Sequence, residues 1–139
     1  MELHTLREFY ALSPFMNDLG AEPTACSPGR VTAVLPLAPR HRQHSGHVHA
    51  GAQTTLADHT MGSAAQTLVA DGFWVLTAEL KVSLLRPADG ERLVCEAWVL
   101  KPGRTLVFTE AEVWAERGAE RTLVMKASAT MAVVPRERG

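Results

Sequence analysis

The chain has 139 residues, enough for one domain that buries about two thirds of its unfolded surface. Its 14 basic and 15 acidic side chains leave a net charge of −1 with no basic run, which excludes the electrostatic footprint of a nucleic-acid or anionic-membrane binder. No secretory apolar segment opens the chain and no apolar run approaches the ~18 residues of a membrane span, so a single cytoplasmic domain over residues 1–139 is expected.

His4 to Asp18 has helical spacing in Leu6, Phe9 and Tyr10, but Ser13-Pro14 interrupts it, because proline disfavours a helical residue before it. One short helix is expected, then a turn or second short helix to Leu19-Gly20, together forming a lid that packs Phe9 and Phe15 on the core. Gly29 to Leu37 alternates Val31, Ala33, Leu35 and Leu37 and predicts the first strand, ended by Pro36 and Pro39.

A histidine-rich loop through Gly46 follows, and from Ala50 to Ala70 a proline-free stretch carries small residues almost all round a helix (Gly51, Ala52, Thr54, Ala57, Gly62, Ala64). A helix without a polar face is meant to be enclosed, and at about 1.5 Å per residue this one would cross a small domain. Asp71-Gly72 is expected to close it. Four β-type stretches follow at Trp74–Leu85, Glu91–Lys101, Thr105–Glu116 and Glu120–Val134, separated by Arg86-Pro87-Ala88-Asp89-Gly90, Pro102-Gly103 and Arg117-Gly118-Ala119. Short turns between consecutive strands predict an antiparallel sheet, here five strands in an α+β fold wrapped around one helix. Cys26 and Cys95 have neither metal-ligand nor redox spacing and are expected to be free thiols, with Cys95 buried on the alternation Leu93, Cys95, Ala97, Val99.

Asp58 stands about two turns into the enclosed helix. A carboxylate there needs a partner or a purpose, because burying it unpaired costs several kcal/mol or raises its pKa. Hydrogen bonding to Thr54 one turn earlier would suffice for a purely structural role. Eight residues before it, however, Ala50 opens the helix, where an unpaired backbone N–H and the helix dipole favour developing negative charge. A base and an oxyanion donor then come from one short segment.

This segment resembles the active-site stretch of hotdog-fold acyl-CoA thioesterases of the phenylacetate-degradation (PaaI-like) type. Gly46, Val48, His49, Gly51, Leu56 and Asp58 match that pattern in register, while Gln43 replaces the loop Asn of many relatives and Ala50 replaces the first glycine of a pair. Alanine keeps the N–H, so the donor survives if its φ is negative. Ser13-Pro14-Phe15, Ser83-Leu84-Leu85-Arg86-Pro87-Ala88 and Lys101-Pro102-Gly103-Arg104 extend the resemblance over nearly the whole chain.

The resemblance implies a hotdog fold with a short helical N-terminal segment and hydrolysis of an acyl-CoA thioester, aryl or medium-chain, with coenzyme A as part of the substrate and no cofactor. Asp58 would act as general base or as nucleophile, Ala50 N–H as oxyanion donor, Gln43 as holder of the carbonyl or the water, and His49 as orienter of the loop or the substrate. A hydroxyl on the second strand, counted back from Pro87 to Thr77, would position the water across a dimer interface. Thr77 alternates with Glu79, Lys81 and Ser83, a polar set expected to point away from its own helix, so it would serve the partner's Asp58. Gly51 would accompany substrate binding, and Arg86, Lys101 and Arg104 would contact coenzyme A phosphates. A homodimer, or a dimer of dimers, is expected from the sheet edges and the family.

Competing readings are a non-catalytic acyl-CoA binding or sensing module on the same fold, and a double-bond hydratase using Asp58 with His49. His41, His44, His47, His49 and His59 invite a zinc site, but their loose spacing without cysteine leads us to expect no metal.

Overall fold

The computed structural model describes residues 1–137. Residues 138–139 of the expected domain lie outside the described residues. Helices α1 (Leu3–Ala11) and α2 (Pro14–Leu19) are separated where Ser13 turns extended. Its hydroxyl accepts from the Met16 N–H at 3.5 Å, and Gly20, with φ of 92°, ends α2 in the left-handed region that glycine tolerates. Strands β1 (Glu22–Ser27) and β2 (Arg30–Pro36) follow, then a 3-10 turn (Pro39–His41), helix α3 (Ala50–Gln66), and strands β3 (Phe73–Leu84), β4 (Arg92–Lys101), β5 (Leu106–Arg117) and β6 (Glu120–Pro135).

All six strands form one antiparallel sheet in the order β1-β2-β4-β5-β6-β3, not the expected five-stranded one. The additional strand is β1. Its sequence, with Pro23 inside and Pro28 just after, has none of the alternation that marks a buried strand, and it is tolerated because β1 is an edge paired on one side only. Helix α3 ends at Gln66, before Asp71-Gly72: Thr67 turns its hydroxyl to the Ala64 carbonyl at 2.7 Å and accepts from the Gly29 N–H at 2.7 Å.

Leu56, Ala57, Met61, Ala64 and Ala65 of α3 are fully buried against Val31, Leu35, Leu93, Val113, Val124 and Met125 from the sheet. The small residues permit that close approach, which is why a helix of low amphipathicity is stable here. No helix among the described residues is long and apolar enough to cross a membrane. Cys26 and Cys95 are free thiols, and complete burial pushes the Cys95 thiol up to about 12.

Strand β3 is the second edge of the sheet, and it carries exposed apolar side chains: Trp74, Leu76, Leu80 and Leu84 are 39%, 58%, 36% and 50% exposed. Phe9 reaches it, meeting the Trp74 ring edge-on at 6.2 Å, with the Arg136 guanidinium 3.9 Å from the Trp74 centroid. Phe15, expected on the core, is instead 65% exposed. In a six-residue helix Met16 takes the inward position and its neighbour is turned out.

Candidate active site

The loop before α3 is stapled at several points. Gln43 N–H donates to the His47 carbonyl at 2.8 Å and Gly46 N–H to the Gln43 carbonyl at 2.9 Å, closing a tight turn in which Gly46 has φ of 88°. Arg42 spans from this turn to the β3–β4 connection, donating to Asp89 at 2.6 Å, to the Gly46 carbonyl at 2.8 Å and to the Gly90 carbonyl at 3.1 Å. The hydrogen bond from Arg42 holds the Asp89 carboxyl below its ordinary range. Val48 N–H donates to the Ala88 carbonyl at 2.9 Å, so the helix entry rests on the same connection.

His49 is the N-cap of α3. Its Nδ1 accepts from the Gly51 N–H at 2.8 Å, which assigns the ring proton to Nε2, and its carbonyl accepts from the Ala52 and Gln53 N–H groups at 3.0 and 3.3 Å. Of these first-turn donors only the Ala50 N–H has no acceptor among the described residues. Among the described residues none other than glycine has positive φ, so Ala50 has the negative φ that an oxyanion donor at this position needs. Gly51 eases a close approach: a Cβ there would lie 3.0 Å from His49 Nδ1, so the ring would have to give by a few tenths of an ångström.

Asp58 is half-buried, and Thr77 Oγ1 donates to its Oδ1 at 2.6 Å within the same chain. This corrects the expected facing of Thr77. The β3–β6 register shifts between Thr77, opposite Met131, and Glu79, opposite Thr130, leaving Ala78 as a bulge. The extra residue reverses the alternation, so Thr77 shares the helix side with Val82, packed on the core, and with Leu80 beside Asp58, while Lys81 and Ser83 border a separate hollow with Lys126.

Asp58 and Thr77 border a cavity of about 310 Å³ between α3, α1 and β3, at the small end of ligand pockets, with Phe9, Trp74, Gly62 and His59 among its walls. A second hollow of about 220 Å³, against α2, is lined by Phe15, Thr54, Thr55 and Leu80 and again by Asp58 and His59. His59 packs edge-on against the Tyr10 ring at 4.5 Å, and burial pulls its pKa down against the opposing pull of Asp58. Tyr10 lies over the helix with its hydroxyl 3.4 Å from Ser63 Oγ, and burial pushes its phenol up to about 12. Sequence reasoning missed Tyr10 and gave His59 only a metal-ligand hypothesis. The one available signal was the adjacency of His59 to Asp58, since contact with Tyr10 joins residues 49 apart in sequence.

Other sequence-predicted residues are placed differently. Gln43 is exposed and donates to Ser45 at 2.9 Å. Arg86 donates to the Leu123 carbonyl at 2.9 Å, at the end of the sheet beside the α3 N-terminus. Lys101 and Arg104 are exposed at the opposite end, where Val99 and Thr67 both bond Gly29. Strand β4 separates these ends by about 30 Å at ~3.3 Å per residue, so one chain does not bring the three cations together. Of the five histidines weighed as zinc ligands, His41 is buried, accepting at Nδ1 from the Ala38 N–H at 3.0 Å and donating from Nε2 to the Leu19 carbonyl at 2.6 Å. Among the described residues no three His, Cys, Asp or Glu side chains gather as a metal site.

Comparison with known proteins supplies the family. The family model of the Thioesterase superfamily matches residues 45–122, more than half of the chain, taking in the loop from Ser45 onward and the whole of helix α3 and strand β3. A putative esterase of Caenorhabditis elegans is 30% identical over 118 residues, which span 84% of this chain and 68% of that protein. Human acyl-coenzyme A thioesterase 13 is 29% identical over 90 residues, 64% of each chain. The crystal structure of a thioesterase family protein from Silicibacter pomeroyi superposes with a TM-score of 0.92 at 37% identity, covering 96% of this chain and 98% of that one. The enclosed helix, its capped entry and the wrapped sheet are the hotdog arrangement, and this chain belongs to the thioesterase superfamily, a family of thioester hydrolases.

Proposed function

We propose that this chain hydrolyses an acyl-CoA thioester to the free acid and coenzyme A, the activity in the name of its human relative, and that the acyl group is aryl or medium-chain, in keeping with a small, largely apolar cavity. The observation that carries this reading is the half-buried Asp58 carboxylate, held by Thr77 at 2.6 Å on the wall of a largely apolar cavity. Thr77 occupies Oδ1 and leaves Oδ2 for the reaction. Asp58 either takes a proton from water as that water adds to the carbonyl carbon, or adds itself to give an anhydride that water then opens. In both courses the C–S bond breaks, the sulfur leaves as thiolate and is protonated, and a C–O bond replaces it.

The carbonyl oxygen needs a donor, and the Ala50 N–H is unengaged. Eight residues separate it from Asp58, about 12 Å along a helix, too far for both to meet one carbonyl within a chain. A two-fold homodimer through the unpaired, apolar β3 edge resolves this by setting Asp58 of one protomer near the partner subunit's Ala50. Gly51 then admits the His49 cap that fixes the donor, and Gln43 contacts the carbonyl or the water. The same two-fold pairing lets Arg86 of one copy and the partner's Lys101 and Arg104 serve one coenzyme A.

Thiol release from a panel of aryl- and alkyl-CoA esters, wild type beside Asp58→Asn, tests the reading. A fall of about 100-fold or more is expected, in line with loss of a general base. An unimpaired Asp58→Asn, or a wild type that binds acyl-CoA without releasing thiol, would overturn it.

A further inference from the structure

Gln53 stands where packing alone asks for an apolar side chain. It is 4% exposed and shares the inward face of α3 with Leu56, Ala57 and Thr60, at the i, i+3, i+4 and i+7 positions of a buried stripe. Its Nε2 donates to the Val48 carbonyl at 3.2 Å, while its Oε1 is buried with no partner among the described residues. A buried acceptor left unpaired is destabilising. A methionine of the same length would remove that orphan along with the donor, so folding alone gives little reason for the amide.

What the amide holds is the backbone that leads into the oxyanion donor. The peptide joining Val48 to His49 donates its N–H to the His41 carbonyl at 2.8 Å and accepts at its oxygen from Gln53 Nε2. The next peptide, joining His49 to Ala50, accepts at its oxygen from the Ala52 and Gln53 N–H groups at 3.0 and 3.3 Å, and its own N–H is the unengaged one. Gln53 therefore binds two successive carbonyls, one through its side chain and one through its backbone. A peptide plane held at both ends cannot rock. The two planes meet at His49, whose φ of −60° and ψ of 137° set the direction of the Ala50 N–H. A donor stabilises an oxyanion strongly only when it is already aimed and does not reorganise during the reaction. We propose that Gln53 is a positioning residue that fixes the peptide bearing the Ala50 N–H. This rests on the hydrolytic reading above and adds to it a side chain that touches no reacting atom.

A cycle of two substitutions tests it by thiol release from acyl-CoA. Ala50→Pro deletes the donor and little else: Ala50 is the first helical residue, where proline is tolerated, and the extended His49 has the backbone that a following proline prefers. Gln53→Met keeps the side chain's length and loses its N–H groups. In the wild-type background Gln53→Met should lower kcat about tenfold at unchanged KM, a part of the about 10²- to 10³-fold that loss of an oxyanion donor costs. In the Ala50→Pro background it should lower kcat no further, because no donor is left to aim. A merely structural role would lower kcat by the same factor in both backgrounds, and that result, or an unimpaired Gln53→Met, overturns the proposal. Gln53→Leu replaces the Met variant if thermal melting shows that variant unfolded. The Ala50 amide resonance of alanine-labelled protein reads the same positioning without turnover: Gln53→Met should shift or broaden it and leave that of Ala64, further along α3, in place. An unmoved Ala50 resonance overturns the proposal. If the wild type releases no thiol, the hydrolytic reading falls and this resonance alone decides Gln53, as it does if Ala50→Pro fails to fold.

Discussion

Thr77 reaches Asp58 at 2.6 Å only because β3 carries one residue too many at Ala78. Deleting Ala78 should restore strict alternation and turn either Thr77 or the following Leu80–Val82 face away from the helix. Thr77→Val removes the hydroxyl alone. Losing the bond that orients the carboxylate should lower kcat about 10- to 100-fold, while the thermal midpoint moves little because the pair is not enclosed in the core. Steady-state kinetics and melting curves of both variants check this, and an active Ala78 deletion would refute the role of the bulge.

The cap on α3 should be separable from the chemistry. His49→Ala loses the Nδ1 bond to Gly51 and is expected to cost about 1 kcal/mol of stability along with activity, while His49→Asn restores most of the stability. Gly51→Ala forces His49 to give by a few tenths of an ångström and should mimic the His49→Ala loss in part. Urea unfolding read beside kcat for the three variants checks the order.

Stability should decline in alkali. Cys95 and Tyr10 have folded pKa values raised to about 12 from ordinary values of 9.0 and 10.0. A raised pKa means that the folded chain keeps protons the unfolded chain releases. The stabilisation is therefore complete below pH 9 and is lost as pH rises toward 12, with a slope approaching about 1.4 kcal/mol per pH unit per group. Tyr10→Phe and Cys95→Ala should each flatten the decline measured by urea unfolding between pH 9 and 11.

Asp89 shifts the other way. Its folded pKa is depressed by Arg42, so the contribution of this pair is present above the ordinary carboxylate pKa of 3.8 and is lost as pH falls through the depressed value. Asp89→Asn should loosen the 42–48 turn at every pH, visible as faster amide exchange at Gly46 and Val48, whereas the wild type should show that loosening only in acid.

Charge on the β3 edge should break assembly and function together. Leu84→Lys, at a side chain 50% exposed, is expected to yield monomer in sedimentation and to lower turnover about 100-fold. A fully active monomer would place base and oxyanion donor in one chain and refute the shared site.

Much of this molecule is legible in its sequence because the relevant signals are local. Alternation in Leu93, Cys95, Ala97 and in Val31, Ala33, Leu35 marks strands, and the small residues around Asp58 mark a helix that must be enclosed. The losses have specific physical causes. Strand β1 has no pattern because prolines and exposure replace alternation on an edge. The facing of Thr77 was inverted by a bulge, which leaves no trace in residue type at Ala78. The partnership of His59 with Tyr10 depends on how α1 lies across α3, a long-range packing that neither helix encodes alone.

The Leu19 carbonyl accepts from both His41 and Arg40, at 2.6 and 3.1 Å, and so ties the end of α2 to the segment leading into the site. The helical cover is therefore pinned at one side and latched on the other by the Phe9–Trp74 seam under Arg136. Because Leu6 and Tyr10 anchor α1 in the core, the parting of the Phe9 and Trp74 rings, an aromatic contact of about 1 kcal/mol, is the smallest change that widens the cavity on that side. Under the proposed hydrolysis, release of the acid would then be set by how often two rings part, a rate tunable at Phe9 without touching a single reacting atom.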